Sequence, residues 1–190
     1  MATATLPWPA AKKRLRTYDE MVTELPESDP SMEPWDGVMI ISPTPIPNHQ
    51  RIVHRFAKLL EQFVSERKLG EVFLSPLVVV LSHHRVVQPD VFFTSKSRLK
   101  MVLDRVRRMP DPAVEVIAEG SWRRDRVDKK DLYEQFGVRE HWVVDPDAQT
   151  IEVLAPERDS FKLASWDEAG DNVSSKMFFG FAIIWPLLVV

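Results

Sequence analysis

The chain has 190 residues, of which 28 are acidic and 25 are basic, and its formal net charge at pH 7 is -3. This is the length of one ordinary domain with a complete core. A composition of 44% hydrophobic and 28% charged residues argues against a disordered, fibrous or membrane-embedded chain. No cysteine is present, which excludes disulfides, thiolate zinc sites and cysteine nucleophiles. Any bound metal must therefore have oxygen or imidazole ligands.

The N-terminal part, residues 1–16, is predicted to be a flexible arm in front of a single domain of residues 17–190. The arm is basic but lacks the apolar core of a secretory signal, and no stretch reaches the ~20 apolar residues that span a bilayer. We therefore expect a cytoplasmic protein that does not contact a membrane. The domain opens with a capping box, in which the side chains of Thr17 and Glu20 each bond the other's backbone N–H at the start of a short helix.

Two longer helices are predicted from apolar residues at helical spacing. The first runs from Asn48, a suitable N-cap, to Gly70. The second runs from about Arg123 to Phe136 and is closed by Gly137. It directs one stripe of side chains toward the sheet, namely Val127, Leu132, Tyr133 and Phe136.

The strands are predicted from short apolar runs with little polar relief, which is typical of strands covered on both faces. They comprise residues 38–41, 71–74, 77–82, 86–94, 113–118 and 141–145, followed by a hairpin of residues 151–154 and 161–164. The last apolar stretch, residues 177–190, predicts a buried edge strand or a subunit contact. Three tryptophans in apolar runs are expected in the core: Trp142, Trp166 and Trp185.

Two acidic residues interrupt apolar strands. Asp90 lies within residues 86–93, and Glu115 lies within residues 113–117. A buried charge needs a partner, and carboxylates on neighbouring strands, ~4.8 Å apart, can share one divalent cation. The alternative is that one or both acids only cap a strand end or pair with an arginine.

Lys129 precedes three apolar residues of the second helix by three, four and seven positions, which places it on the inward stripe. A lysine directed inward usually meets a carboxylate. One alternative is that the aliphatic part of the Lys129 side chain lies on apolar surface while its ammonium group reaches solvent. The other is that Lys129 pairs with Asp125, one turn earlier.

Aspartate, glutamate and lysine around a divalent cation can hydrolyse phosphodiesters. The cation polarises the phosphate and lowers the pKa of a bound water, while the lysine orients that water and offsets charge in the transition state. With no cysteine and no serine in a nucleophile-elbow pattern, acyl transfer has little support. The sequence therefore predicts a phosphodiester hydrolase that uses a divalent cation, with Asp90, Glu115 and Lys129 at its active site.

These residues belong to one pattern along about residues 17–155. The pattern comprises Glu33, Asp36-Gly37, Ser42-Pro43, His49, Gln88-Pro89-Asp90, Val114-Glu115-Val116, Asp125, Lys129, Tyr133, residues 137–142 and Val144-Asp145-Pro146. It resembles the Uma-type family of small bacterial restriction-endonuclease-like proteins, within the PD-(D/E)xK superfamily. The combined motif is specific, whereas each piece alone is weak.

The resemblance implies a restriction-endonuclease-like core of mixed α/β class, with a central mixed β-sheet flanked by helices. It implies an endonuclease that hydrolyses DNA with Mg²⁺ (or Mn²⁺). Asp90 and Glu115 would be the metal ligands, assisted by a backbone carbonyl next to Glu115, with Glu33 as a further catalytic acid. Three other motif residues would contact the phosphate or support the ligands: His49, Asp125 and Tyr133.

Two departures from the family pattern are visible. The superfamily lysine stands two residues after the acid, where this chain has Ile117, so Lys129 of the following helix must supply the cation. Residues 118–121 replace a Ser-Pro-Ser-Thr-like run, which puts the start of that helix and its phosphate contacts in question.

Further residues are alternatives. His49 either bonds the phosphate or Glu33, or only starts the first long helix. Asp111, in a second Pro-Asp pair, is the alternative second acid. His83 and His84, in a polar turn, form an alternative metal site.

DNA is the expected partner despite the acidic net charge, because basic residues cluster in residues 96–108 and 123–130. Both clusters are equally explained as solvated faces. A homodimer would double them and let two sites address two strands. The alternative function is a catalytically silent nuclease fold that binds DNA or a protein partner, and a third hypothesis is a hydrolase of small phosphoesters.

Overall fold

The structure is a computed structural model, which describes residues 4–7, 17–20, 32–36, 38–42, 44–102, 106–107, 109–158, 160–168 and 172–189. The strands are β1 (Ala4–Pro7), β2 (Met32–Trp35), β3 (Val38–Ile41), β4 (Gly70–Leu74), β5 (Val79–Ser82), β6 (Arg85–Val87), β7 (Val91–Ser95), β8 (Pro112–Val116), β9 (Glu140–Asp145), β10 (Thr150–Glu157), β11 (Ser160–Glu168), β12 (Val173–Ser174) and β13 (Ala182–Ile183). The helices are α1 (Pro47–Glu66), α2 (Lys129–Gln135) and α3 (Pro186–Val189), with a 3-10 turn (Leu99–Met101) and a π-helical turn (Arg124–Asp128).

The centre of the fold is a six-stranded mixed sheet with the strand order β11-β10-β9-β8-β7-β4. Neighbouring strands are antiparallel except β8 and β9, which are parallel and place Glu115 opposite Val143. Parallel neighbours need a crossover connection, and the π-helical turn and α2 lie in this one. The crossover therefore carries Lys129 back to the strand that holds Glu115.

Helices cover both faces of this sheet. Successive side chains of a strand point to opposite faces, so the strands contribute to two cores. Phe93 and Val114 pack with Phe56 of α1 in one cluster. Phe92 packs with Tyr133 of α2 in the other. Each fully buried side chain of this size contributes roughly 1.5–3 kcal/mol. The prediction of a mixed α/β fold with a central mixed sheet flanked by helices is confirmed.

A smaller antiparallel sheet has the strand order β1-β3-β2-β6-β5. The prediction of one strand over residues 86–94 is wrong, because this run divides into β6 of the smaller sheet and β7 of the central sheet. Pro89 explains the division, since proline cannot donate a ladder hydrogen bond. Asp90 consequently lies where the chain passes from one sheet to the other.

The N-terminal prediction is corrected in part. Ala4–Pro7 pairs antiparallel with β3, so these residues are a strand and not a flexible arm. An edge strand offers unpaired backbone groups that such a segment can satisfy. The predicted capping box is confirmed, with Thr17 N donating to Glu20 Oε2 at 2.9 Å and Glu20 N donating to Thr17 Oγ1 at 3.2 Å. The rest of the predicted arm and of the short helix lies outside the described residues.

Both long helices differ in detail from the prediction. The N-cap of α1 is Ile46 and not Asn48, and it makes no side-chain cap hydrogen bond. Pro47 takes the first turn, where no N–H donor is needed. The second predicted helix contains a π-helical turn, and Val127 in it is exposed instead of facing the sheet. Trp166 on β11 is likewise exposed, so its predicted place in the core is wrong.

The C-terminal apolar stretch contains β13 and α3, and β13 pairs with β12 in a separate two-stranded sheet, so this stretch adds no strand to the central sheet. Trp185 and Leu188 are buried in the same cluster as the apolar face of α1. Arg55 of α1 donates to the Leu188 carbonyl at 3.1 Å. Among the described residues, no helix has the length and apolar character needed to cross a membrane.

Candidate active site

Asp90 and Glu115 meet at the junction of β7 and β8. These strands pair with Val91 opposite Val114, and the same antiparallel register places Asp90 opposite Glu115. Asp90 Oδ2 accepts a hydrogen bond from the Val116 N–H at 2.8 Å. Glu115 is 1% exposed. The two predicted acids are therefore held side by side by the sheet itself.

Lys129 and Tyr133 of α2 both contact Glu115. They are four residues apart, so they lie on one face of the helix. Lys129 Nζ is 2.6 Å from Glu115 Oε2, and the Tyr133 hydroxyl donates to Glu115 Oε1. The Lys129 side chain is 2% exposed, which contradicts the alternative that it extends to solvent. One helical face thus binds both oxygens of the Glu115 carboxylate.

Asp125 lies one turn before Lys129 and connects it to two further polar side chains. Its Oδ1 is 3.6 Å from Lys129 Nζ and 3.5 Å from Arg124 Nε. Its Oδ2 accepts a hydrogen bond from Ser121 Oγ. Arg124 Nη1 donates in turn to Ser42 Oγ. The pairing of Lys129 with Asp125 is present, but it is longer than the contact with Glu115.

Glu33 and His49 complete the predicted group. Glu33 is 2% exposed, its Oε1 accepts the Gln88 N–H at 2.8 Å, and its Oε2 is buried without a hydrogen-bond partner. His49 Nε2 lies 2.9 Å from the Val116 carbonyl oxygen and 3.4 Å from Asp90 Oδ2. His49 therefore contacts Asp90, rather than Glu33 as one sequence alternative had it.

A cavity of about 310 Å³ joins these groups. Its walls come from β2, the start of α1, the β6–β7 junction, the end of β8 and the π-helical segment. The charged and imidazole side chains that line it are Glu33, His49, Asp90, Glu115, Arg124, Asp125 and Lys129. Tyr133 alone of the predicted site residues does not line the cavity and acts on it through Glu115.

Burial and charge change the proton affinities in the cavity. Burial raises the pKa of Glu115 to about 8, since Asp90 and Asp125 add to the effect and Lys129 only partly opposes it. Burial also acts to raise the pKa of Asp90, but contacts with His49, Lys129 and the Val116 N–H outweigh it and hold that pKa below its usual range. Asp90 and Asp125 thus place negative charge beside Glu115, whose own carboxyl group holds its proton up to about pH 8.

The pKa values of the two basic groups next to these acids, Lys129 and His49, are both raised. Burial acts to lower the pKa of Lys129, but Glu115, Glu33 and Asp125 outweigh it and raise that pKa. Burial likewise acts to lower the pKa of His49, but the hydrogen bond and charge of Asp90 outweigh burial and raise that pKa. Lys129 is consequently a permanent cation at neutral pH.

Two alternative sites suggested by the sequence, Asp111 and the pair His83 and His84, lie elsewhere in the fold. Asp111 accepts hydrogen bonds from Arg98 Nη1 and from the Ser95 N–H, the latter at 2.8 Å. It thus anchors the segment after β7 and does not line the cavity. His83 and His84 lie in the turn between β5 and β6, also away from the cavity lining.

Arg124, Ser42 and Ser121 also line the cavity, although the sequence predicted no site role for them and named Ser42 and Ser121 only in comparison with the family pattern. Arg124 was counted only within a basic run, because helical spacing alone does not distinguish the inward arginine from exposed Arg123. The bond between Arg124 and Ser42 joins positions 82 residues apart, so sequence spacing holds no signal for it.

Among the described residues, no cluster of three or more His, Asp or Glu side chains has the arrangement of a complete metal site. Asp90 and Glu115 provide two carboxylates beside the Val116 carbonyl. Mg²⁺ commonly binds one or two protein carboxylates and keeps waters as its remaining ligands. The donor set therefore fits a partly hydrated Mg²⁺, and the unpartnered carboxylate oxygen of Glu33 gives a further acceptor in the same cavity.

The mixed sheet, its flanking helices and the acid–lysine group define a restriction-endonuclease-like protein. A family model described as "Uma2: Putative restriction endonuclease" matches residues 18–187. The chain belongs to this Uma2 family, which confirms the resemblance found in the sequence.

A solved structure gives the same fold. It is the crystal structure of a protein from Anabaena variabilis ATCC 29413, described as a putative nuclease belonging to DUF820. The TM-score is 0.78 at 22% sequence identity, over 91% of this chain and 97% of the other. A search among curated proteins finds no match.

Proposed function

We propose that this protein is a cytoplasmic endonuclease that hydrolyses DNA phosphodiester bonds with Mg²⁺ or Mn²⁺. The observation that carries the proposal is the meeting of Asp90, Glu115 and Lys129 in one cavity, with Lys129 Nζ 2.6 Å from Glu115. Membership of the Uma2 family, whose description is "Putative restriction endonuclease", supports it. Asp90, Glu115 and the Val116 carbonyl would hold the cation, and Glu33 would contribute a further acid.

The chemistry divides between the cation and the side chains. When bound, the cation would polarise the phosphate and lower the pKa of a nearby water. Lys129 would orient the attacking water and stabilise the negative charge that grows on the phosphate oxygens. The water oxygen bonds to phosphorus and gives up one proton, while one phosphorus–ester oxygen bond breaks. The leaving oxygen takes up a proton, so that the step as a whole consumes one water and yields an alcohol and a phosphate monoester. Tyr133 and Asp125 would keep Glu115 and Lys129 in position.

Plasmid cleavage with each metal tests the proposal. We expect the wild type to cut DNA with Mg²⁺ or Mn²⁺ and to stop in EDTA. Asp90→Asn and Glu115→Gln should each reduce the rate at least ~100-fold, because each removes a metal-binding charge. Asp131→Asn is the matched control, since Asp131 is exposed on α2, pairs with Lys130 at 3.5 Å and does not line the cavity.

The alternatives predict different outcomes. Equal cleavage by the Asp90→Asn variant and the wild type would refute the proposed site. A catalytically silent fold would bind DNA in EDTA without cutting it in any metal. A hydrolase of small phosphoesters would turn over a nitrophenyl phosphodiester while showing no salt-dependent DNA binding.

A further inference from the structure

Arg124 is the one arginine among the residues that line the cavity. Its side chain is 13% exposed, so the guanidinium lies largely out of bulk water. Nη1 donates to Ser42 Oγ, whereas the buried Nε has no hydrogen-bond partner. An unsatisfied buried donor is energetically unfavourable unless a ligand or water bonds it. The protein therefore keeps a cation in the cavity wall with one of its side-chain donors unpaired.

The neighbouring acid does not neutralise Arg124 by a close bond. Arg124 Nε and Asp125 Oδ1 are 3.5 Å apart, yet both atoms are without a hydrogen-bond partner. Lys129, the other strong cation of the cavity, differs because its ammonium is 2.6 Å from Glu115. Of these two cations, Arg124 is thus the one without a close carboxylate contact, and its Nε has no hydrogen-bond partner.

The ligand chemistry follows from the guanidinium. Its planar fork of donors matches the oxygens of a phosphate and binds two of them at once. A chain of net charge -3 has little general attraction for DNA, so individual phosphate contacts carry more of its affinity. We propose that Arg124, held by Ser42, binds a phosphate of the DNA backbone in the cavity beside Asp90 and Glu115. This inference rests on the proposed function.

DNA binding without cleavage tests this role. Fluorescence anisotropy with a short labelled duplex, in EDTA and over a series of KCl concentrations, gives the affinity and its salt dependence. Arg124→Gln keeps a polar group near Ser42 but removes the charge, and it should lower affinity ~10-fold and reduce the slope of log K against log [salt] by about one. Arg124→Lys should retain the slope, because it retains the phosphate-neutralising charge.

Arg126→Gln is the matched control on the same helical segment. Arg126 is paired with Asp145 at 3.3 Å and with Glu152 at 2.6 Å, and it does not line the cavity. Its variant should keep the wild-type slope. A purely structural role for Arg124 would lower the melting temperature without changing the slope.

The outcomes separate this inference from the proposed function. An unchanged slope in Arg124→Gln, or a wild type without salt-dependent binding, overturns the role of Arg124 even if the protein cuts plasmid DNA. If Arg124→Gln changes the slope but the wild type never cuts DNA, the phosphate contact is supported and the nuclease activity is refuted.

Discussion

Glu115 depends on Tyr133 for one of its two hydrogen-bonded oxygens. The Tyr133 ring is 0% exposed and its hydroxyl donates to Glu115 Oε1. Tyr133→Phe should therefore destabilise the fold by about 2 kcal/mol, because a buried acceptor loses its donor. The free energy of unfolding from urea titration measures the change. Thr94→Val is the control, since Thr94 Oγ1 is buried without a hydrogen-bond partner and its replacement by a methyl group should not destabilise the fold. Equal effects of both variants would contradict the assigned bond.

His141 makes the fold sensitive to acid. It is fully buried on β9, and neither ring nitrogen has a hydrogen-bond partner. Burial lowers the pKa of His141 from 6.5 to about 3, and the positive charges of Lys129, Lys130 and Arg126 add to the effect. In the unfolded chain His141 is thus protonated below about pH 6.5, whereas in the folded chain it is protonated only below about pH 3. Stability is therefore complete above pH 6.5 and falls as the pH decreases through this window.

His141→Met should remove this part of the acid sensitivity. Between pH 8 and about pH 5, the wild type should lose about 2 kcal/mol more than the variant. Urea titrations at both pH values measure the difference. His54→Met provides the comparison, because His54 is exposed on α1. If His54→Met removes as much of the acid sensitivity as His141→Met, burial of His141 is not its cause.

At the scale of elements, Glu140 fastens the C-terminal segment to β9. This carboxylate is 0% exposed and accepts hydrogen bonds from Trp142 Nε1, from Ser175 Oγ and from the backbone N–H groups of Lys176 and Met177. Glu140→Gln places an amide donor among these donors and should cost about 2–4 kcal/mol.

Hydrogen exchange locates the effect of Glu140→Gln. The amides of Met177 and Phe178 should exchange faster than those of α1, because the segment is released before the core opens. Glu157→Gln, on the exposed end of β10, should leave the exchange unchanged. A uniform acceleration over the whole chain would show that Glu140 supports the entire fold and not this segment.

The sequence predicts those elements whose residues follow a regular period. Lys129 and Tyr133 lie in α2, so their helical spacing correctly places both on the inward face. Val127 lies in the π-helical turn, where each hydrogen bond spans one residue more, so the same spacing fails. Such turns are frequent at functional sites. Here the turn brings Arg124 and Asp125 to the same cavity as Lys129.

Contacts between distant segments are less predictable. Glu33 and Gln88 are 55 positions apart, and their hydrogen bond depends on how the two sheets meet at Pro89. The family motif included Glu33, but no local period indicates where its side chain points. The proximity of Asp90 to Glu115 was predictable, because each acid interrupts an apolar strand. Two buried acids on neighbouring strands need a common partner.

At the scale of the whole molecule, a homodimer remains a prediction. Two sites would address the two strands of a duplex, and pairing would double the basic surface of an acidic chain. Two apolar side chains of the C-terminal region are exposed, with Phe179 99% exposed and Leu187 49% exposed. Leu187 belongs to α3, in which Leu188 packs in the same cluster as the apolar face of α1. Leu187 is therefore carried by a helix that is packed on the core, which favours a subunit contact there.

Phe179→Ser combined with Leu187→Ser should convert a dimer to a monomer, since apolar burial drives most subunit contacts. Sedimentation velocity at micromolar concentration measures the mass, and plasmid assays should show nicking in place of double-strand cuts. Leu163→Ser with Trp166→Ser is the control, because these exposed residues lie on β11, at the edge of the central sheet. A wild type that sediments as a monomer would refute the dimer. Loss of the dimer only in the control would move the contact to β11, where edge-to-edge strand pairing joins two sheets.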